Sequence, residues 1–156
     1  MRRKIVSIVT IALSIFLCSC AGTTTVENAS LLNQPLQAKT SRIKIVRAGT
    51  FIASLRDARI KMDGREIASL SNGAATVRDI PAGNHEFSVD VWDHPNIFKI
   101  NVNIKPGMLY TLEVQPRDEA IAAGMFGAAG MLAEAASNPN GGLFQMRVVS
   151  ETKVAG

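Results

Sequence analysis

Apolar and polar residues alternate along most of the chain from Arg42 to Gln115. In Phe98-Lys99-Ile100-Asn101-Val102-Asn103-Ile104-Lys105 every second residue is apolar and its neighbours are polar. Successive side chains of a strand point to opposite faces, so this run predicts a strand with one buried and one wet face. Phe87, Val89 and Val91 alternate in the same way with Glu86, Ser88 and Asp90, and Tyr110, Leu112 and Val114 with Thr111, Glu113 and Gln115. Ile43 and Ile45, then Ile60 and Met62, begin the set, and Phe144, Met146 and Val148 close it. Turn residues separate the runs. Asp63-Gly64 suits a tight hairpin whose two central residues take positive φ, and Ser71-Asn72-Gly73 repeats the device. Pro81-Ala82-Gly83 and Lys105-Pro106-Gly107 pair a fixed φ with a permissive glycine. Seven or eight short strands punctuated in this way predict a mainly β fold, a small antiparallel sandwich over residues 42–156.

Residues 119–137 break the β pattern with a Gly/Ala-rich stretch before the last strand. Read as one helix, it places Ile121, Met125, Ala128 and Leu132 on one face and Gly124, Gly127 and Gly130 in a second, smooth stripe. A glycine costs ~1 kcal/mol against alanine inside a helix. Three of them therefore point to a close approach by a sheet face, by another copy of the chain, or by lipid. The expectation is a helix or compact loop over one open end of the sandwich, and the alternative is a membrane-contacting or self-associating helix. A membrane span is not expected, because the segment is short and contains Glu134. Asn138-Pro139-Asn140-Gly141-Gly142 ends the element. Gly124, Met125, Phe126, Gly127 and Gly130 are the candidate interaction surface, together with Trp92, the single tryptophan. Exposed, Trp92 would mark a binding surface; covered, by the Gly-rich segment for instance, it would be core.

The start of the chain has a different character. Arg2, Arg3 and Lys4 precede 13 apolar or small hydroxyl residues, Ile5 to Leu17. That layout fits a signal peptide. As a helix the run rises only ~20 Å, short of a ~30 Å hydrocarbon core. Leu17-Cys18-Ser19-Cys20 then resembles the bacterial lipobox. The resemblance implies cleavage before Cys20, a diacylglyceryl group on its sulfur, and usually a palmitate-type chain on the new amine. One acyl chain holds a protein only marginally to a bilayer, whereas two or three anchor it stably. Ala21 stands where an Asp would resemble an inner-membrane retention signal, which implies an outer-membrane lipoprotein facing the periplasm.

Removal of residues 1–19 takes Arg2, Arg3 and Lys4 from the 17 basic residues and none of the 13 acidic ones, so the mature chain carries a net charge near +1. No basic run remains to suggest nucleic acid. Cys18 leaves with the signal and Cys20 takes lipid, so the mature domain has no free thiol, disulfide or cysteine metal site. Residues 20–41, poor in periodicity, read as a lipidated N-terminus and flexible tether of ~25 Å reach. Alternatively, Leu31, Leu32 and Leu36 dock part of this segment on the domain.

Three stretches carry a family resemblance: Ala58-Arg59-Ile60-Lys61-Met62-Asp63-Gly64-Arg65-Glu66-Ile67-Ala68, Ile80-Pro81-Ala82-Gly83-Asn84-His85-Glu86-Phe87, and Ile104-Lys105-Pro106-Gly107-Met108-Leu109-Tyr110. Together, over about residues 42–116, they are similar to a family of short bacterial lipoproteins with a domain of unknown function. More distantly, they resemble PEGA-type β-sandwich modules. The shared frame is a strand ending in Asp/Asn-Gly, a Pro-x-Gly-x-His turn into a strand, and a later Gly before an aromatic strand. Pro-Ala-Gly stands where the PEGA motif would have Pro-Glu-Gly-Ala. The shared residues are turn and core positions, so the resemblance implies fold and location rather than an activity.

Groups suited to catalysis are few. His85 follows the Pro81-Ala82-Gly83 turn and reads as a turn residue contacting backbone; His94, in Asp93-His94-Pro95-Asn96, reads as a loop residue. A hydrolase needs a nucleophile, a base and an orienting group within reach of one another, and Asp93 and His94 are neighbours that a strand end would point apart. The spacing of His85, Asp90 and His94 matches no ligand pattern for a metal. Asp118 and Glu119 read as the acidic start of a helix. The sequence therefore predicts a non-enzymatic envelope lipoprotein with no cofactor beyond the lipid on Cys20. Its sandwich would serve as an interaction module, through an envelope protein partner or self-association at 119–137. The alternatives are a carrier or sensor of an apolar ligand or lipid, with 119–137 as a movable cover, and a hydrolase using His85 or His94.

Overall fold

The computed structural model describes residues 25–154; the basic start, the apolar run and Cys20 lie outside the described residues. In chain order the strands are β1 (Val26–Glu27), β2 (Thr40–Arg47), β3 (Ala58–Met62), β4 (Arg65–Leu70), β5 (Ala75–Pro81), β6 (Gly83–Asp90), β7 (Phe98–Ile104), β8 (Met108–Pro116) and β9 (Phe144–Lys153). Two helices, α1 (Asp118–Gly124) and α2 (Gly127–Ser137), separate β8 from β9, and a 3-10 helix spans Ala29–Asn33. A five-stranded sheet, in the order β1-β5-β2-β8-β9, packs on a four-stranded sheet, β4-β3-β6-β7. This is the predicted β-sandwich.

The alternating residues are what join the two sheets. Ile43 and Ile45 of β2 and Tyr110, Leu112 and Val114 of β8 form one buried cluster with Ile60 of β3 and Phe87 and Val89 of β6. Each such aliphatic or aromatic side chain, fully buried, contributes ~1.5–3 kcal/mol. Phe98, Ile100 and Val102 pack against the same cluster but stay half-buried, because β7 is an edge strand. Asp63 and Gly64 both take positive φ, 51° and 79°, and close the β3–β4 hairpin as expected.

The structure departs from the expectation in several places. Two strand pairs are parallel, β1 with β5 and β2 with β8, while the other five are antiparallel. The β2–β8 pair is possible because the chain passes through the whole second sheet between these strands, the long crossover that parallel pairing requires. Asn72-Gly73 does not close a hairpin; it sits in a turn, with Ala74 N–H donating to Ser71 O at 3.0 Å, that carries the chain from one sheet to the other. Pro81-Ala82-Gly83 and Lys105-Pro106-Gly107 also cross between sheets. Val148 is not core: it pairs in register with the buried Leu112, but β9 is an edge strand whose last seven residues are exposed, and a bulge shifts the register just beyond it. Ser88 and Asp90, expected on a wet face, are buried, because Arg59 and Lys61 of the neighbouring β3 both reach the Asp90 carboxylate, at 2.6 and 2.7 Å.

The segment read as a tether belongs to the fold from Thr25 onward, so the docking alternative describes it better there. Ala75 N–H donates to Thr25 O at 2.9 Å, and Val26 and Glu27 pair with Ala75 and Thr76. Leu31 and Leu36 are half-buried, whereas Leu32 remains exposed. The anchor of the segment is Arg42 of β2. It grips Asp79 through two hydrogen bonds of 2.6 and 2.8 Å and donates a third, of 2.9 Å, to Gln34 O. Only 1% of Arg42 is exposed, and the bond to Asp79 holds its guanidinium above its ordinary pKa.

The sandwich has two unlike ends. One, the turn end, carries the short connections at 63–64, 81–83 and 105–107. The other, the loop end, carries residues 48–57 between β2 and β3, 71–74, 91–97 between β6 and β7, and the two helices. Because β1 runs parallel to the start of β5, Thr25 also lies at the loop end.

Candidate functional site

The loop end is built around a buried arginine. Arg47 is in phase with Ile43 and Ile45, so β2 turns it into the space between the sheets, where 1% of it is exposed. Its Nη1 donates to Leu70 O at the end of β4 and its Nη2 to Ala53 O in the 48–57 loop, both at 2.7 Å. The guanidinium lies 4.7 Å from the ring centre of Phe144, a cation–π contact. Burial pushes its pKa below the ordinary value. One side chain thus joins both sheets and holds the loop that carries Phe51, Ile52 and Leu55.

Residues 118–137, expected as a helix or compact loop, form a hairpin of two helices. α1 ends at Gly124, Met125 and Phe126 form the link, and Gly127 reverses the chain with a φ of 68°, open to glycine at little cost. The three glycines therefore do not make one stripe. Gly130 is where the close approach occurs: a Cβ there would run into the Ala123 carbonyl of α1, while nothing lies near Gly124 or Gly127. The surface that comes close to α2 is α1, a part of the same chain.

The hairpin is fastened at its base only. Arg117, just before α1, donates to Gly142 O and to Glu134 of α2, each at 3.0 Å, and the two charged side chains are 6% and 11% exposed. Asn96 donates to Ala135 O and Asn138 O at the end of α2, and Asn140 exchanges two hydrogen bonds with the Lys99 backbone of β7. Gly141 leaves room for this clamp, since a Cβ there would stand 2.7 Å from the Arg117 guanidinium. Beyond the clamp the hairpin buries little: Ala120 alone in α1 and no residue of α2. The hairpin stands at the loop end, held through its base, and leaves its own apolar side chains bare.

The sequence-predicted surface residues gather here. Trp92 lies in the 91–97 loop, 78% exposed, in a shallow groove beside Ala128, Met131 and Leu132 of α2. It neighbours the Gly-rich segment without being covered by it. Met125 and Phe126, at the tip, are 84% and 81% exposed; Gly124 and Gly127 flank them, and Gly130 lies further back against α1. Cys20 is outside the described residues. Phe51 and Leu55, at 96% and 97%, are the most exposed large apolar residues of the loop end, and the alternation singles out neither. What marks them in the sequence is that they are apolar outside any alternating run. A cleft of about 320 Å³ opens between the 48–57 loop and the hairpin, walled by Ile52, Ala53, Ile121, Gly124 and Met131, with Asp93 and His94 at its side.

The histidines lie apart. His85 is at the turn end, with Nδ1 2.6 Å from Asp63 and Nε2 3.0 Å from Pro81 O. The hydrogen bond from His85, with a further one from Glu86 N–H, holds the Asp63 carboxyl below its usual pKa. His94 is at the loop end, where its Nδ1 accepts from Asn96 N–H at 3.3 Å; its neighbour Asp93 accepts from Arg56 at 2.7 Å. His85 and His94 therefore cannot serve one site. Among the described residues no three His, Asp or Glu side chains gather as a metal site, and no helix is long and apolar enough to cross a membrane.

Compared with models of known protein families and with curated protein sequences, the chain matches none.

Proposed function

We propose that this chain is a bacterial envelope lipoprotein, acylated on Cys20, whose β-sandwich is a non-enzymatic interaction module held at a membrane surface. The observation that carries the reading is positional. The described fold begins at Thr25, five residues after the lipobox cysteine, and it begins at the loop end, where the exposed apolar side chains are. The basic and apolar run before Cys20 supports export and acylation. The resemblance of residues 42–116 to short lipoproteins supports the same location, on the outer membrane facing the periplasm. The near-neutral mature chain gives no reason to invoke nucleic acid.

A second reading rests on the cleft beneath the hairpin. Its about 320 Å³ and its largely apolar walls would suit a small apolar ligand or a lipid chain, with the hairpin as cover. A ligand that co-purifies with the protein would favour this reading.

Replacing Cys20 tests the proposal. In fractionated cells the wild-type chain is expected in the membrane pellet, released by detergent and not by salt. The Cys20→Ser variant is expected to lose the acyl chains and to appear mainly as uncleaved precursor or as soluble protein. Equal release of both forms by salt would remove the lipid anchor from the account.

A further inference from the structure

We infer that the apolar loop end docks directly on the lipid bilayer, so that the sandwich stands end-on at the membrane instead of swinging from its anchor. The inference deepens the lipoprotein reading and rests on it. Its substance is the concentration of exposed apolar side chains. Of the eleven large apolar residues exposed among the described residues, eight belong to three neighbouring loop-end segments, and only Leu32, Val148 and Val149 lie elsewhere. Phe51 and Leu55 project from the 48–57 loop, Trp92 from the 91–97 loop, and Met125, Phe126 and Leu132 from the hairpin. Isolated exposed apolar residues are ordinary, but a cluster contributed by three separate segments marks a contact surface.

The occupant follows from where the chain starts. Thr25 is at the loop end, and five residues of extended chain from Cys20 reach at most ~18 Å. With Cys20 acylated in the bilayer, the end nearest the membrane is the apolar one. Two copies meeting through these ends would have to turn them away from the surface to which each is tied. A bilayer meets them as they stand.

The charges at this end indicate which part of the lipid is met. Arg56 is paired with Asp93 and Arg117 with Glu134, while Asp118 and Glu119 are exposed acids at the start of α1. Arg59, Lys99 and Arg147 are likewise paired, with Asp90, Glu86 and Glu113, so among the described residues no unpaired basic patch faces out at this end to collect anionic headgroups. The contact is therefore with the interfacial and upper acyl region, where an amphipathic Trp ring is well placed. The hairpin suits this role: its base is clamped to the sandwich and its tip presents Met125 and Phe126 with nothing beneath them to bury. Salt should leave the docking unchanged, since it screens only charge.

Trp92 is the only tryptophan, so its fluorescence reports on this surface alone. The full acylated protein would be reconstituted in vesicles of equal parts phosphatidylethanolamine and phosphatidylglycerol, with and without lipids brominated on their acyl chains. The expected result is a blue-shifted emission, quenched by about half or more by the brominated lipid and shielded from iodide. A Phe51→Ser/Phe126→Ser variant, both sites being solvent-exposed, is expected to keep its β circular-dichroism spectrum and its vesicle binding while losing most of the quenching. Trp92 open to iodide and unquenched, in protein that still co-sediments with the vesicles, would overturn docking and leave the anchor standing. Shielding from iodide without quenching by brominated lipid would overturn it in favour of a protein occupant, another copy included. A chain without acyl mass that fails to co-sediment would overturn both the docking and the lipoprotein reading.

Discussion

Arg47→Leu is expected to cost about 3 kcal/mol of stability, lowering the thermal midpoint by roughly 10 °C for a domain of this size. The variant removes the cation–π contact with Phe144 and the two 2.7 Å hydrogen bonds to the Leu70 and Ala53 carbonyls, of which Ala53 keeps its bond from Arg56 N–H at 3.1 Å. An unsatisfied buried carbonyl costs ~1–3 kcal/mol. An opposing effect is real: burial disfavours the Arg47 charge, and its Nε has no partner among the described residues, so leucine relieves a desolvation cost. The Leu70 carbonyl left without this donor, together with the lost link from β4 to the 48–57 loop and the lost cation–π contact, outweighs that relief. Arg47→Lys keeps the charge but not the fork, and should fall between the two. Urea unfolding of the three proteins reads the order directly. A leucine variant as stable as the wild type would mean that the arginine does not hold this end together.

Removing Arg117 should act locally. Arg117→Met leaves Glu134, 11% exposed, without its partner; for a fully buried pair such a loss typically costs ~3–5 kcal/mol. Part of that cost is avoidable, because α2 buries no residue and is free to lift its carboxylate into water. The expected outcome is a hairpin that opens while the two sheets stay folded. Hydrogen exchange should show amide protection lost over residues 118–141 and kept in β2, β6 and β8, and limited proteolysis should cut first within the hairpin. Pairing the change with Glu134→Leu should restore much of the protection, since an apolar pair carries no desolvation cost. Loss of protection throughout the molecule would show that the hairpin is an integral part of the fold and not a clamped appendage.

How far the sequence foretells this structure varies from residue to residue. Phe87, Val89, Tyr110, Leu112 and Val114 are readable as core because a period of two fixes which face a side chain takes. It says nothing of which strand lies alongside, so the parallel β2–β8 pair and the division into two sheets are not legible in it. Asn72-Gly73 suits a hairpin and a turn between sheets equally, and only the packing of β4 and β5 in different sheets separates the two. The Gly124, Gly127 and Gly130 spacing suggests one smooth helix face; the reversal at Gly127 instead folds the segment on itself and spends Gly130 on contact with α1. Arg47 was visible in principle, as a cation in phase with Ile43 and Ile45. Phe51 and Leu55 carry no periodic signal, and their meaning emerges only when three loops meet at one end.

The central claim is that the chain is tied to the membrane at Cys20, close beside its apolar end. The most direct measurement is the intact mass and N-terminal peptide of the protein purified from its own membranes. The account predicts a chain beginning at Cys20, free of residues 1–19, and heavier than its sequence by a diacylglyceryl group, with or without one further acyl chain. A chain beginning elsewhere, or Cys20 present and unmodified, would contradict it.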